Sequence, residues 1–325
     1  MSYQDNINKI YSYLRNLKLT LITQSLPPDN PISSKTPNQP QAEMGDSIYF
    51  YNPSLAASIL FTILYTIPLL YHTYLSLIAP YTGHQKKVPY FIPIAIGAAT
   101  EVAAYAIRAA SVHQQDNIGL YATSSSLIVI APVLVCASLY ILIGRLIRSS
   151  AGGGRATSSS DTETKEPVQL FGRFSPSWIP RVFVTSDVVS FLTQAAGSGI
   201  ASSNDWTGKE KDVGVGVLIA GLVLQLVTFG FFLVVVVWFD RSFASGEVGE
   251  GVRSVLRGIY IAGFFIMVRL IYRVVEFCMG MDTYTWTHEW PLYVLEAVPM
   301  LIAMMVLGWY HPARWLPAGF GGREK

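Results

Sequence analysis

Seven ionisable side chains sit where the sequence is otherwise apolar. Glu101 and Arg108 share one hydrophobic stretch and Asp187 lies in another. Arg269, Arg273 and Glu276 occupy a third, and Glu296 a fourth that opens at Glu289. Gln194 follows Asp187 in the same stretch, and the pairs 101/108, 187/194, 269/276 and 289/296 are each seven residues apart. Seven residues is about two helical turns, so each pair stacks on one helix face roughly 10 Å apart. A charge at the centre of a bilayer costs about 2.5–3.5 kcal/mol. Seven such groups facing lipid would cost on the order of 20 kcal/mol, more than the whole stability of a typical fold. They must face inward and one another. Four acids (Glu101, Asp187, Glu276, Glu296) stand against three arginines, so the charges nearly cancel. Two readings follow. One is a buried ion-pair network that fixes helix register. The other is a polar cavity for an amphipathic ligand, in which arginines and carboxylates suit a zwitterionic or aminated headgroup and the tail stays in lipid.

The elements that must position these residues are membrane helices. Of 325 residues, 51% are hydrophobic and only 14% charged, against about 25% charge in a soluble domain. A helix needs about 20 mostly apolar residues to cross the hydrocarbon. Windows at 53–77, 90–110, 121–147, 179–201, 213–239, 255–279 and 291–310 meet that length. The expected fold is an all-α, seven-transmembrane-helix bundle over residues 49–317, with a polar, disordered tail at 1–48 and a short cytoplasmic tail at 318–325. In the first tail Ile7, Ile10, Leu14, Leu17 and Leu21 have helical spacing, but its Pro/Gln/Asn/Ser-rich stretch at 27–41 reads as solvated, and no signal peptide is visible. The loops between windows are short, except 148–180, whose Gly152-Gly153-Gly154 and Ser158-Ser159-Ser160 read as flexible. Lys86, Lys87, Arg145, Arg148, Arg155, Arg241, Arg253, Arg257 and Arg314 gather on one side of the bundle, whereas the other side holds Lys209 and Lys211 against Asp116, Asp205, Glu210 and Asp212. The basic side is cytoplasmic by the positive-inside rule, which puts the N-terminus outside and the C-terminus inside.

Pro68, Pro93, Pro132 and Pro299 interrupt four windows and are expected to kink them. Small residues at 195–199 and Gly214, Gly216 and Gly221 suit close helix packing. Several functions are excluded. There is no phosphate-binding loop for an ATP-driven pump, and Gly214-x-Gly216 lacks the third glycine of a dinucleotide site. Every lysine lies outside the windows, which removes a retinal-type Schiff base. Only His72 among the histidines lies within a window, so an intramembrane zinc hydrolase lacks its ligands, and His288-Glu289 has no partner histidine nearby. Cys136 and Cys278 give no disulfide framework or zinc cluster. A net charge of +2 argues against nucleic acid as a partner. No cofactor, metal or catalytic residue is expected, and the chain reads as a non-enzyme.

The order of the motifs carries a resemblance. Glu101-Val102-Ala103-Ala104-Tyr105-Ala106-Ile107-Arg108, Ala131-Pro132-Val133-Leu134-Val135-Cys136-Ala137-Ser138-Leu139-Tyr140 and Ser186-Asp187-Val188-Val189-Ser190-Phe191 with Gln194 come first. Gly221-Leu222-x-x-Gln225, Arg269-x-x-Tyr272-Arg273-Val274-Val275-Glu276, His288-Glu289-Trp290 and His311-Pro312 follow. Together, over about 51–316, they resemble the fungal lipid-translocating exporters of the resistance-to-aminocholesterol type, which include sphingoid long-chain-base exporters. Ala104, Ser124–Ser126, Glu296 and Ala313 depart from the usual glycine, glutamine, aspartate and glycine of that pattern. The resemblance implies seven transmembrane helices, an outside N-terminus and efflux of a lipid or toxic amphiphile at the plasma membrane. Membrane lipids or amphipathic small molecules would be its partners. The substrate-binding candidates are Glu101, Arg108, Asp187, Gln194, Gln225, Arg269, Arg273, Glu276, Glu289 and Glu296. A seven-helix receptor or sensor of an amphipathic ligand is the alternative, although Gly144-Arg145 stands where a coupling triplet would end the third window.

Overall fold

A computed structural model describes residues 51, 53–81, 88–153, 178–203, 208–243, 250–280 and 283–316. The chain divides into two units, Met1–Gly45 and Asp46–Lys325, and all described residues belong to the second. The expected N-terminal and C-terminal tails therefore lie outside the described residues, as do residues 154–177 of the long loop.

Among the described residues every regular element is helical. The long helices are α1 (Leu55–Thr73), α2 (Ile92–His113), α3 (Ile118–Gly153), α4 (Trp178–Ser202), α5 (Gly208–Phe243), α6 (Glu250–Met279) and α7 (Val298–Trp309). A π-helical stretch, Tyr74–Ile78, extends α1, and a second, Leu292–Ala297, leads into α7. Among the described residues, six helices are long and apolar enough to cross a membrane. The protein is a multi-pass membrane protein. α4 falls outside that six, because Arg181, Asp187, Gln194 and its serines and threonines dilute its apolar content.

The ends of three helices differ from the expected windows. α3 runs on to Gly153 through residues expected in the flexible loop. α5 starts at Gly208 and α6 at Glu250, ahead of the windows at 213 and 255. Hydropathy marks where a helix enters lipid, whereas the helix itself continues into water wherever residues such as Lys, Glu and Arg favour it. The prolines also divide. Pro68 and Pro132 lie inside α1 and α3. Pro93 lies in the first turn of α2, where a missing N–H breaks no helical bond, whereas Pro299 follows the π-helical stretch Leu292–Ala297 and interrupts a continuing helix.

Each helix packs on the next in sequence, and α7 returns to α1 and α6, so the ring closes with α3 also touching α5 and α6. The α4–α5 seam shows why the small residues are there. A Cβ on Gly197 would stand 2.5 Å from the Leu218 amide nitrogen and 2.6 Å from the Gly214 carbonyl, and one on Gly221 would stand 2.8 Å from the Ser190 carbonyl. Only a missing side chain lets the backbones approach this closely. Gly199 and Gly216 face open space and play no such part.

The interior is aromatic and aliphatic, with Tyr65, Phe91, Tyr105, Tyr140, Phe229, Phe232 and Phe239 fully buried. Large apolar side chains cover the outside as well, among them Leu70, Val227, Phe231, Val234 and Phe264. An apolar exterior around an apolar core is what lipid as a solvent requires.

Candidate functional site

The charged candidates separate into a central cluster, an outer cluster and two isolated pairs. In the central cluster Arg269 of α6 donates through Nη2 to Glu296 Oε1 at 2.8 Å and to the Ile128 carbonyl of α3 at 2.7 Å. Arg273 donates to Glu276 Oε2 at 2.9 Å, and the same nitrogen lies 3.6 Å from Glu296 Oε2. Tyr272 donates its hydroxyl to the other Glu276 oxygen at 2.8 Å. The π-helical stretch that carries Glu296 widens the turn ahead of Pro299, so the carboxylate projects from an irregular part of the helix. Glu101 of α2 lies within electrostatic reach of both Arg269 and Glu296. It is 1% exposed, and no arginine bonds it.

The outer cluster joins α2 to the start of α1 and to the chain ahead of α7. Arg108 donates to the Tyr51 hydroxyl at 2.6 Å, to Glu289 Oε1 at 3.2 Å and to the Tyr293 hydroxyl at 3.4 Å. Tyr293 donates to Glu289 Oε1 at 3.0 Å, Ser58 lies 3.1 Å from Tyr293, and the Ser54 amide donates to Glu289 Oε2 at 2.7 Å. Tyr51 lies ahead of α1; burial pushes its phenol above the ordinary range although Arg108 opposes this, so it stays neutral beside the guanidinium. Tyr105 lies between the two clusters, within electrostatic reach of Glu101, Glu296, Arg269 and Arg108, and its buried hydroxyl has no partner. Its ring stacks on Tyr65 at 5.4 Å, and Phe61 stacks on Tyr293 at 4.9 Å.

Asp187, Gln194 and Gln225 are not bonded to this network. Tyr140 of α3 donates to Asp187 Oδ2 at 2.8 Å, while Asp187 Oδ1 has no partner. Gln194 donates to Gln225 at 3.0 Å across the α4–α5 seam. The expectation that all intramembrane charges face one another therefore needs correction for Asp187, whose partner is a tyrosine. One hydroxyl O–H satisfies a carboxylate oxygen without importing a second charge.

Sequence reading paired charges with charges and missed the tyrosines. Their signal was present: Glu101–Tyr105, Tyr272–Glu276 and Glu289–Tyr293 are all i,i+4 pairs. Two buried histidines were also missed as a pair. His72 Nε2 lies 3.0 Å from the Met304 carbonyl, and His311 lies 3.2 Å from Ser76 and accepts from the Ala313 amide. A carbonyl only accepts, so His72 carries its proton on Nε2. His311 accepts on Nδ1 and carries its proton on Nε2.

Residues 94–318 match the family described as RTA1 like protein. The chain belongs to the RTA1-like family. That match spans the central cluster, Arg108 and Glu289 of the outer cluster, and both isolated pairs. The chain is 34% identical to Protein RTM1 of Saccharomyces cerevisiae over 223 residues, covering 66% of this chain and 65% of that protein. It is 28% identical to Protoporphyrin uptake protein 1 of the same yeast, over 81% of this chain and 91% of that protein. Sphingoid long-chain base transporter RSB1 of the same yeast is 29% identical over 45% of this chain and 49% of that protein. The chain thus aligns with about two thirds of Protein RTM1 and half of the long-chain base transporter. No solved structure matches the chain.

Proposed function

We propose that the protein is a seven-span transporter of the plasma membrane that exports an amphipathic, lipid-like molecule, a sphingoid base, a sterol-like compound or a toxic amphiphile. α4, with 25 residues, is about 37 Å long at 1.5 Å per residue, long enough to serve as the seventh span. The N-terminus is outside and the C-terminus cytoplasmic. The protein acts as a carrier and not as an enzyme.

One observation carries this reading. The central cluster leaves Glu101 Oε2, Glu296 Oε2 and Arg269 Nε without hydrogen-bond partners, all buried. Polar atoms left without a hydrogen bond in an apolar interior each cost about 1–3 kcal/mol. A network serving only helix register has no reason to keep them. A headgroup with both donors and acceptors would satisfy all three, in a polar cavity that opens between the helices. The name of the long-chain base transporter among the relatives supports the same class of ligand.

Cells with and without the gene, loaded with a labelled long-chain base, test it. Faster loss of label from expressing cells is expected. Binding to the purified protein with no difference in export would mark a sensor instead.

A further inference from the structure

The central cluster holds three acids, Glu101, Glu276 and Glu296, against two arginines, Arg269 and Arg273. Glu276 and Glu296 are ion-paired; Glu101 is not, and its Oε2 is without a hydrogen bond. With every group ionised, the cluster would bury one uncompensated negative charge on the carboxylate with no cation against it. That is costly in an apolar interior unless the charge is removed. A single proton on Glu101 removes it.

The groups facing Glu101 agree with that placement. From α1, the Tyr65 hydroxyl is already committed to the Ala297 carbonyl at 2.7 Å. From α6 and the π-helical stretch come Arg269 and Glu296, bonded to each other. From α2 itself comes Tyr105, one turn away, whose buried hydroxyl has no partner. None of them supplies Glu101 with a bonded positive charge.

We propose that Glu101 carries a proton in this arrangement and releases it once in each transport cycle, so that movement of the ligand is coupled to a proton. The inference rests on the transporter reading above. On release, the O–H bond of the Glu101 carboxyl breaks and its electron pair stays on the oxygen. The proton passes to water in the opened site. The carboxylate left behind is met by the unused Nε–H of Arg269. Protonation from water reverses each step and restores the neutral, closed cluster.

Two measurements on the full chain test this. In detergent, infrared difference spectra between acidic and alkaline buffer should show one carboxylic C=O band that is absent from Glu101→Gln and retained in Glu276→Gln. Gln is isosteric with the protonated acid, so Glu101→Gln should keep wild-type thermal stability. Should it not fold, Glu101→Asp must shift the same band. A band that persists in Glu101→Gln, or fails to move in Glu101→Asp, overturns the assignment. In vesicles containing a pH-sensitive dye, a fluorescent long-chain base serves as the probe. Its movement should carry a proton flux in the wild type, and the flux should be lost in Glu101→Gln. Probe movement without proton flux in the wild type overturns the coupling and leaves the transporter reading standing. No probe movement in the wild type removes the transporter reading and the coupling with it, and the infrared band alone then decides where the proton sits.

Discussion

Arg269 on α6 bonds Glu296 at 2.8 Å, while Glu101, equally buried on α2, is left without an arginine. Both acids lie within electrostatic reach of Arg269, and the fold bonds it to one. Breaking a buried pair costs about 3–5 kcal/mol, because the surviving charge is stranded.

Arg269→Glu should therefore abolish export and lower the melting temperature. Arg269→Glu/Glu296→Arg should recover part of both, and Arg269→Glu/Glu101→Arg should recover neither. The readouts are label efflux and thermal unfolding in detergent, normalised to surface abundance. Rescue by the Glu101 swap alone would show that the pairing is wrong.

The α4–α5 seam gives a packing prediction. Gly197→Ala puts a methyl 2.5 Å from the Leu218 nitrogen, and overpacking of this kind costs about 1–3 kcal/mol. Gly199→Ala meets nothing within 4 Å and should leave stability unchanged or raise it by up to about 1 kcal/mol, the helix preference for alanine. Equal melting temperatures for the two variants would mean that the helices are not this close.

Gln194 and Gln225 satisfy each other at 3.0 Å. Gln194→Leu alone strands a buried amide and should cost about 1–3 kcal/mol, whereas Gln194→Leu/Gln225→Leu should be near wild type, since removing both partners is nearly neutral. Full export by the double variant would assign the pair to packing. Lost export at normal stability would place the two amides against the ligand.

Topology is checked by tags. An N-terminal tag should be reached by antibody on intact cells, and a C-terminal tag only after permeabilisation. Labelling of both from one side would reduce the spans to an even number and remove α4 from the membrane.

In the outer cluster, Arg108 is shared by Tyr51, Glu289 and Tyr293. Tyr51→Phe removes one of these contacts without a change of charge and should lower stability by about 1 kcal/mol. Glu289→Gln leaves the guanidinium without its carboxylate and should cost more. If Tyr51→Phe proves the worse of the two by thermal unfolding, Arg108 is held chiefly by the phenol.

How much of this was legible beforehand follows from what each observation depends on. That Glu101, Asp187, Arg269 and Glu296 had to be buried was fixed by composition alone, because lipid offers a charge no solvation whatever the fold. The helices were legible for the same reason, and so was the Arg273–Glu276 bond, since i,i+3 neighbours share a face in any helix. The pairing of residues on different helices was not. Each residue along a helix turns about 100° and rises 1.5 Å, so a partner depends on the rotation and depth of two helices together. Close packing at glycines such as Gly197 and the irregular turn carrying Glu296 set both. Tertiary structure thus gave Arg269 to Glu296, Tyr140 to Asp187 and Arg108 to Glu289, and left Glu101 as the one acid of the central cluster with no cation bonded to it.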